Sequence, residues 1–257
     1  MEKITYSAQT DIGKCRERND DAVCSVPEIG FFAVADGIGQ LAFGGVTAEY
    51  TCKLMANDVE NIYQNYRIHL DDDKAGKELK TALETISNKI FQKANTPDVY
   101  RYGTTFCGMM CLENQLLIVN IGDSRAYVKK KGQTEIFQIT EDHNLAVMAS
   151  KNGYMTYEEA VERGLASRIL NFVGISENTE ADLFVVDRAE VEKILLCSDG
   201  LSGMASVEEI AACVEKKEEP DSICRELIQL ANQKGGKDNI SVVLVQFDDC
   251  ESTLNSD

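Results

Sequence analysis

Strand-like segments that come in groups, and helical segments that come in pairs, place this 257-residue chain in the α+β class as a layered sandwich. A doubly wound sheet would instead alternate strand and helix strictly. The length lies at the upper end of what one hydrophobic core holds, and 44% of the residues are hydrophobic, so one large domain is expected.

Residues 4–10, 22–25 and 31–35 read as the first group of strands. Helical spacing takes over at 45–66 and again at 77–94, beyond the acidic, loop-like HLDDDKAG at 69–76. The period then changes. Residues 104–140 read as four strands joined by turns at Glu113-Asn114, Gly122-Asp123 and Lys131-Gly132. From 143 to 174 the pattern is helical and irregular, an excursion from the sheets. Strands resume at 181–186 and 193–197, helices follow at 207–215 and 221–234, and 240–247 is a final strand. The expected domain is 1–247, followed by a polar tail, 248–257, that should fray. We find no internal repeat and no low-complexity linker.

Forty-three acidic against 26 basic residues give a net charge of -17, which repels phosphate backbones and anionic lipid surfaces. Nucleic acid and membrane are therefore not expected partners. The nine cysteines are scattered without a CxxC pair, and His69 and His143 are the only imidazoles, so a zinc cage has little to be built from. Reduced thiols in a core are the expectation. The N-terminal segment has no signal-peptide core, and no stretch approaches the roughly 20 apolar residues of a membrane span. A soluble, cytoplasmic protein is expected.

Carboxylates stand at strand ends. In FFAVADGIGQ the apolar run meets Asp36 and then Gly37; KILLCSDGL repeats the device at Asp199, and LLIVNIGDSR repeats it at Asp123. GGKDNISVVLV places Asp238 just before the last strand. Any one Asp-Gly is accounted for by an ordinary turn. Four together, in a chain almost without histidine, are better explained by a shared hard cation such as Mg²⁺ or Mn²⁺. Gly37 is expected to turn the chain sharply and expose its carbonyl beside Asp36. CRERNDDAV brings Arg16, Asn19, Asp20 and Asp21 ahead of a strand. It reads either as a solvated turn or as a phosphate-gripping arginine beside carboxylates that orient water.

Seven stretches, TDIGKCRERNDDAV, FAVADGIGQ, YGTTFCGMMCL, IVNIGDSRAYV, ITEDHNLA, ILLCSDGLSGM and GGKDNISVVLV, follow one another over nearly all of residues 5–247. In this order the chain resembles the metal-dependent Ser/Thr protein phosphatases of the PPM family, the protein phosphatase 2C type, in their short bacterial form. The resemblance implies a four-layer αββα sandwich, two antiparallel sheets flanked by helices, with two Mn²⁺ or Mg²⁺ ions at one end. It implies that Asp36 bridges the ions, with the Gly37 carbonyl on one and Asp199 and Asp238 on the other. Asp20 and Asp21 match the acidic pair that contacts metal waters, although the family more often has Glu or Gln in the first place. Arg16 matches the substrate-phosphate arginine, and Asp123 with Asp199 matches a weaker third metal site.

The activity implied is hydrolysis of phosphoserine and phosphothreonine through attack by a hydroxide bridging the two metals. The partners implied are phosphorylated proteins, a Ser/Thr kinase among them, met by a monomer. Residues 144–174 correspond to the flap beside the active site. Three positions depart from the family pattern: Ile38 where many members have a histidine, Gln40 where glycine is common, and Gly203 where aspartate is usual. Two other readings use the same scaffold: a pseudophosphatase serving as a binding module, and a phosphohydrolase of small esters.

Overall fold

Phe31–Ala35 is apolar at every position because both faces of this strand are covered. The computed structural model describes residues 4–39, 43–66, 72–94 and 102–247. Its strands are β1 (Ile4–Asp11), β2 (Asp21–Val26), β3 (Phe31–Ile38), β4 (Gly103–Thr104), β5 (Phe106–Cys111), β6 (Gln115–Ile121), β7 (Arg125–Lys130), β8 (Ile136–Gln138), β9 (Asp182–Asp187), β10 (Val191–Cys197) and β11 (Ile240–Phe247). Its helices are α1 (Phe43–Tyr66), α2 (Asp72–Ala94), α3 (Leu145–Lys151), α4 (Tyr157–Glu162), α5 (Asp199–Ser202), α6 (Val207–Val214) and α7 (Pro220–Gln233).

The strands form two antiparallel sheets. One has the order β1-β11-β10-β7-β8, the other β2-β3-β5-β6-β9 with β4 paired to β3. Between them lies a layer built from Phe32, Val34, Met109 and Ile118 of one sheet and Val128, Leu196 and Val243 of the other. The alternate residues Phe31, Ala33 and Leu117 face Met55 and Val59 of α1 and Leu83 and Ile86 of α2. On the far side, Leu195, Val242 and Leu244 pack against Ile210 of α6 and Ile223 and Leu227 of α7. The result is the expected four-layer αββα sandwich.

The turns at 113–114, 122–123 and 131–132 fall between strands as expected. One boundary differs in a way that matters. β3 does not end at Ala35 but runs on through Asp36 and Gly37 to Ile38, because β4 supplies partners, Thr104 for Gly37 and Gly103 for Ile38. Helices α1 and α2 begin at Phe43 and Asp72, ahead of the expected 45 and 77. The one-turn helix α5 forms where only a turn was legible. The 143–174 excursion carries α3 and α4, the latter started by a Thr156/Glu159 capping box. Gln40, residues 69–71 of the acidic loop and the tail 248–257 lie outside the described residues. Among the described residues, eight cysteines are free thiols and no helix is long and apolar enough to cross a membrane.

Candidate metal centre

Side chains on a strand alternate between its two faces, so Asp36 continues the row of Phe32 and Val34 into the layer between the sheets. At this one end the same row turns polar on the other strands. Asp21 sits directly across from Asp36 on β2, while Thr105, Asn120, Ser124, Ser198 and Ser241, all fully buried, extend the inward-facing rows of β5, β6, β7, β10 and β11. Their hydroxyls are committed to one another and to the acids. Ser198 Oγ donates to Asp21 Oδ2 at 2.8 Å and accepts from Ser241 N at 3.0 Å. Asp36 N donates to Thr105 Oγ1 at 3.0 Å, and the Thr105 and Ser124 hydroxyls lie 2.7 Å apart.

The remaining acids arrive from loops at the same end. Asp199 opens α5, and the buried Asp123 lies in the turn between β6 and β7. Asp238 precedes β11; its Oδ1 accepts from Asn239 N at 2.9 Å and its Oδ2 from Arg16 Nη2 at 2.6 Å. Asp20 is turned differently from Asp21: Arg18 Nε donates to both of its oxygens, at 2.9 and 2.8 Å. Asn239 ties these loops together, accepting from Asp20 N at 2.8 Å and donating to Ile12 O and Arg18 O at 2.9 Å.

Gly37 is not the sharp turn that its neighbourhood suggested. It lies in extended strand, and what requires glycine is close approach: a Cβ there would stand 2.3 Å from the Gly44 carbonyl carbon and 2.4 Å from Asp20 O. The start of α1 and the Asp20 loop are thereby pressed against the strand that carries Asp36.

The acids perturb one another. Asp36 is pushed well above the ordinary carboxylate range, chiefly by burial and then by Asp21, Asp199, Asp123 and Asp238. Burial likewise raises Asp21 to about 7, against hydrogen bonds from Ser241 and Ser198 that favour its charge. Asp123 is raised to about 8 by burial and by Asp199. Asp199 is raised by burial and by Asp238, and a hydrogen bond with Asp36 partly offsets this. Such crowding is unfavourable unless protons or cations neutralise it.

Among the described residues, no three His, Cys, Asp or Glu side chains are already gathered into a cage around one point. Three buried oxygens, Asp21 Oδ1, Asp123 Oδ1 and Asp199 Oδ1, nevertheless have no protein donor. Buried acceptors in that state call for a partner, and an all-oxygen donor set suits a hard divalent cation. The residues present therefore fit such ions.

The structure brings Asp20, Asp21, Asp36, Gly37, Asp123, Asp199, Asp238 and Arg16 to one end of the sandwich. It also shows what sequence reasoning missed. Ser198, Ser241, Thr105 and Ser124 could have been found by carrying each strand's alternation one or two residues past its apolar run. Arg18 in CRERNDDAV and Asn239 in GGKDNISVVLV are neighbours of the acids in sequence and hold their loops in place. Beside Asp123, Arg125 of β7 grips the buried Asp142 through two bonds, Nε to Oδ1 at 2.9 Å and Nη2 to Oδ2 at 2.7 Å. Ile38 ends β3 opposite Gly103, and a Cβ at Gly203 would stand 2.8 Å from Asp199 O.

A model of the protein phosphatase 2C family matches residues 14–245. The serine/threonine protein phosphatase PstP of Mycobacterium tuberculosis is 33% identical over 254 residues, which cover 96% of this chain and 45% of the relative. The chain thus spans less than half the length of that relative. The serine/threonine phosphatase stp of Listeria welshimeri is 28% identical over 242 residues, covering 93% of this chain and 94% of the relative. Among solved structures, the catalytic domain of PstP in complex with two manganese ions superposes with a TM-score of 0.75 at 31% identity, covering 95% of this chain and 97% of that one. With its layers, its acid-lined end and nine-tenths of its length so matched, the chain belongs to the protein phosphatase 2C family.

Proposed function

We propose that this protein is a metal-dependent protein serine/threonine phosphatase that hydrolyses phosphoserine and phosphothreonine. One observation carries the reading: Asp21, Asp36, Asp123 and Asp199 crowd one buried end of the sandwich, and three of them keep an oxygen that no protein donor meets. The names of the mycobacterial and Listeria relatives support the same activity.

In this reading Asp36 would serve two divalent cations, with the Gly37 carbonyl joining it at one and Asp199 and Asp238 holding the other. Asp20 and Asp21 would orient water there, and Asp123 with Asp199 would hold a weaker third ion. Mn²⁺ and Mg²⁺ both suit these oxygen donors. Bound metals of this kind supply a nucleophilic water near neutral pH and offset charge on the phosphoryl oxygens. The chain's own part is to hold the acids still. Asp36 is fixed from both sides of its peptide, since its carbonyl accepts from Thr104 Oγ1 and Thr105 N, both at 2.8 Å. Arg16 is half-exposed and rests on Asp238, so its guanidinium can exchange that carboxylate for phosphoryl oxygens of the same charge. Ile38 offers no proton, which leaves the departing alkoxide to take one from water.

The activity belongs to a single domain, residues 1–247. Its 144–174 flap contributes to substrate contact; Thr104 and Val173 exchange backbone bonds of 3.2 and 2.8 Å, which tie the flap to the strand beside Gly37. Phosphorylated proteins, a Ser/Thr kinase among them, are the proposed substrates of a cytoplasmic monomer. A pseudophosphatase is disfavoured because Asp36, Asp199 and Asp238 are all retained.

The test is the initial rate on a phosphothreonine peptide with Mn²⁺ or Mg²⁺ and then with excess EDTA. Turnover should require metal, and Asp36→Asn should lower it at least about 100-fold while the protein stays folded. Full activity in EDTA, or an Asp36→Asn enzyme at the wild-type rate, would refute the proposal.

A further inference from the structure

Four cations gather at the mouth of this site, two of them paired, Arg16 with Asp238 and Arg18 with Asp20. Against a net charge of -17, the loop 12–19 carries Lys14, Arg16 and Arg18 with Glu17 as its only acid, and Lys237 stands on the loop facing it. The two loops are laced together. Lys14 N and Cys15 N both donate to Gly236 O, at 2.7 and 3.2 Å, and Asn239 Nδ2 donates to Arg18 O at 2.9 Å. Gly13, at φ +76°, lies so close beneath Asp238 that a Cβ would stand 2.2 Å from its carbonyl oxygen. The basic side chains are thus mounted on a fixed rim.

Arg16 and Arg18 are used differently. Arg16 spends Nη2 on Asp238, and the phosphatase reading gives it the phosphoryl group. Arg18 is oriented through Nε alone, which bonds both oxygens of Asp20. Among the described residues its two terminal amino groups have no acceptor, and no carboxylate lies at ion-pair distance from the exposed Lys14 or Lys237. A guanidinium that is held in place and half-satisfied is pre-organised for one more anion. Arg18 lies two residues from Arg16 on the same loop and bonds Asp20 at the acid-lined end, so an anion that it meets belongs close to the phosphorylated residue.

We infer that this rim selects phosphopeptides carrying an aspartate or glutamate beside the phosphorylated residue, with Arg18 as the specificity-determining side chain. The inference rests on the phosphatase reading and names the substrate class of the same site. Long-range repulsion from the -17 charge opposes acidic peptides but is screened beyond about 8 Å at 0.15 M salt, where contact with the rim decides.

The experiment compares two phosphothreonine peptides that differ only in glutamate or glutamine at the flanking positions. Kd is measured by fluorescence anisotropy and KM and kcat by phosphate release, at 0.15 M and 0.5 M salt, with p-nitrophenyl phosphate as a substrate without flanks. Each protein's acidic-to-neutral ratio is taken on itself, so losses of folded material cancel. For the wild type we expect a ratio of about fivefold in favour of the acidic peptide, in Kd and KM with kcat unchanged, fading at 0.5 M salt. Arg18→Gln should bring the ratio close to one, Lys14→Gln with Lys237→Gln should lower it in part, and Arg18→Lys should retain part of it. A wild-type ratio of one or below, or a ratio that survives Arg18→Gln, overturns the inference. If neither peptide nor p-nitrophenyl phosphate is turned over, the phosphatase reading fails instead, and the Kd ratio still decides this one.

Discussion

A single methyl group tests how closely the site is built. At Gly37 a Cβ would meet the Gly44 carbonyl carbon at 2.3 Å, Asp20 O at 2.4 Å and Gly44 O at 2.5 Å, all of them backbone atoms that no rotamer change can move aside. Either the start of α1 or the Asp20 loop must shift, and both border Asp36. Gly37→Ala should therefore cost about 1–3 kcal/mol of stability and also weaken Mn²⁺ binding. Chemical denaturation and a metal titration read the two effects separately; an unchanged denaturation midpoint would show that the contact can relax. At Gly203 the confinement is milder, with Asp199 O at 2.8 Å as the one close atom. The bond from Gly203 N to Asp199 O at 2.7 Å closes the backbone of α5 there.

At the scale of elements, most of the sandwich was legible because strands covered on both faces announce themselves as unbroken apolar runs, and helices by their spacing. What escaped detection was short or polar. β4 is two residues long and carries no period, yet by pairing with Gly37 and Ile38 it extends β3 past Asp36, which itself pairs with Asp21 of β2. The hydroxyls of Ser198, Ser241, Thr105 and Ser124 carry no mark of their burial in the sequence, because burial is a tertiary fact. The four acids at strand ends were legible as a group, whereas their crowding in one layer came only from the pairing of Asp21 with Asp36 and the meeting of two sheets. Arg125 shows how one element holds others. Besides gripping Asp142 it donates to Tyr127 Oη at 3.1 Å and to Tyr157 Oη of α4 at 3.3 Å, linking β7 to the flap. Arg125→Ala would leave the buried Asp142 carboxylate unpaired, so a loss on the order of 3 kcal/mol is expected, with proteolysis appearing first within 144–174. A loss under 1 kcal/mol would mean that water replaces the guanidinium.

For the whole molecule, the buried acids make stability depend on pH and on metal in opposite ways. Burial and mutual repulsion raise Asp36 and Asp199, and raise Asp21 to about 7 and Asp123 to about 8. Between the ordinary carboxylate pKa near 4 and these raised values, the metal-free folded state holds protons that the unfolded chain has released. Their contribution to stability is complete below about pH 4 and is lost as pH rises through 7 to 8. The chain has only two histidines, the side chain whose ordinary pKa falls between 5 and 8. In EDTA the melting temperature should fall by on the order of 5 °C between pH 6 and pH 8.5. A divalent cation replaces the protons and is bound most tightly once they have gone, so saturating Mn²⁺ should raise the melting temperature more at pH 8.5 than at pH 6. A metal-free melting temperature that is level or rises over this range would show that the acids are already ionised and solvated in the folded chain, and the crowding at the head of the sandwich would then not be what prepares it for cations.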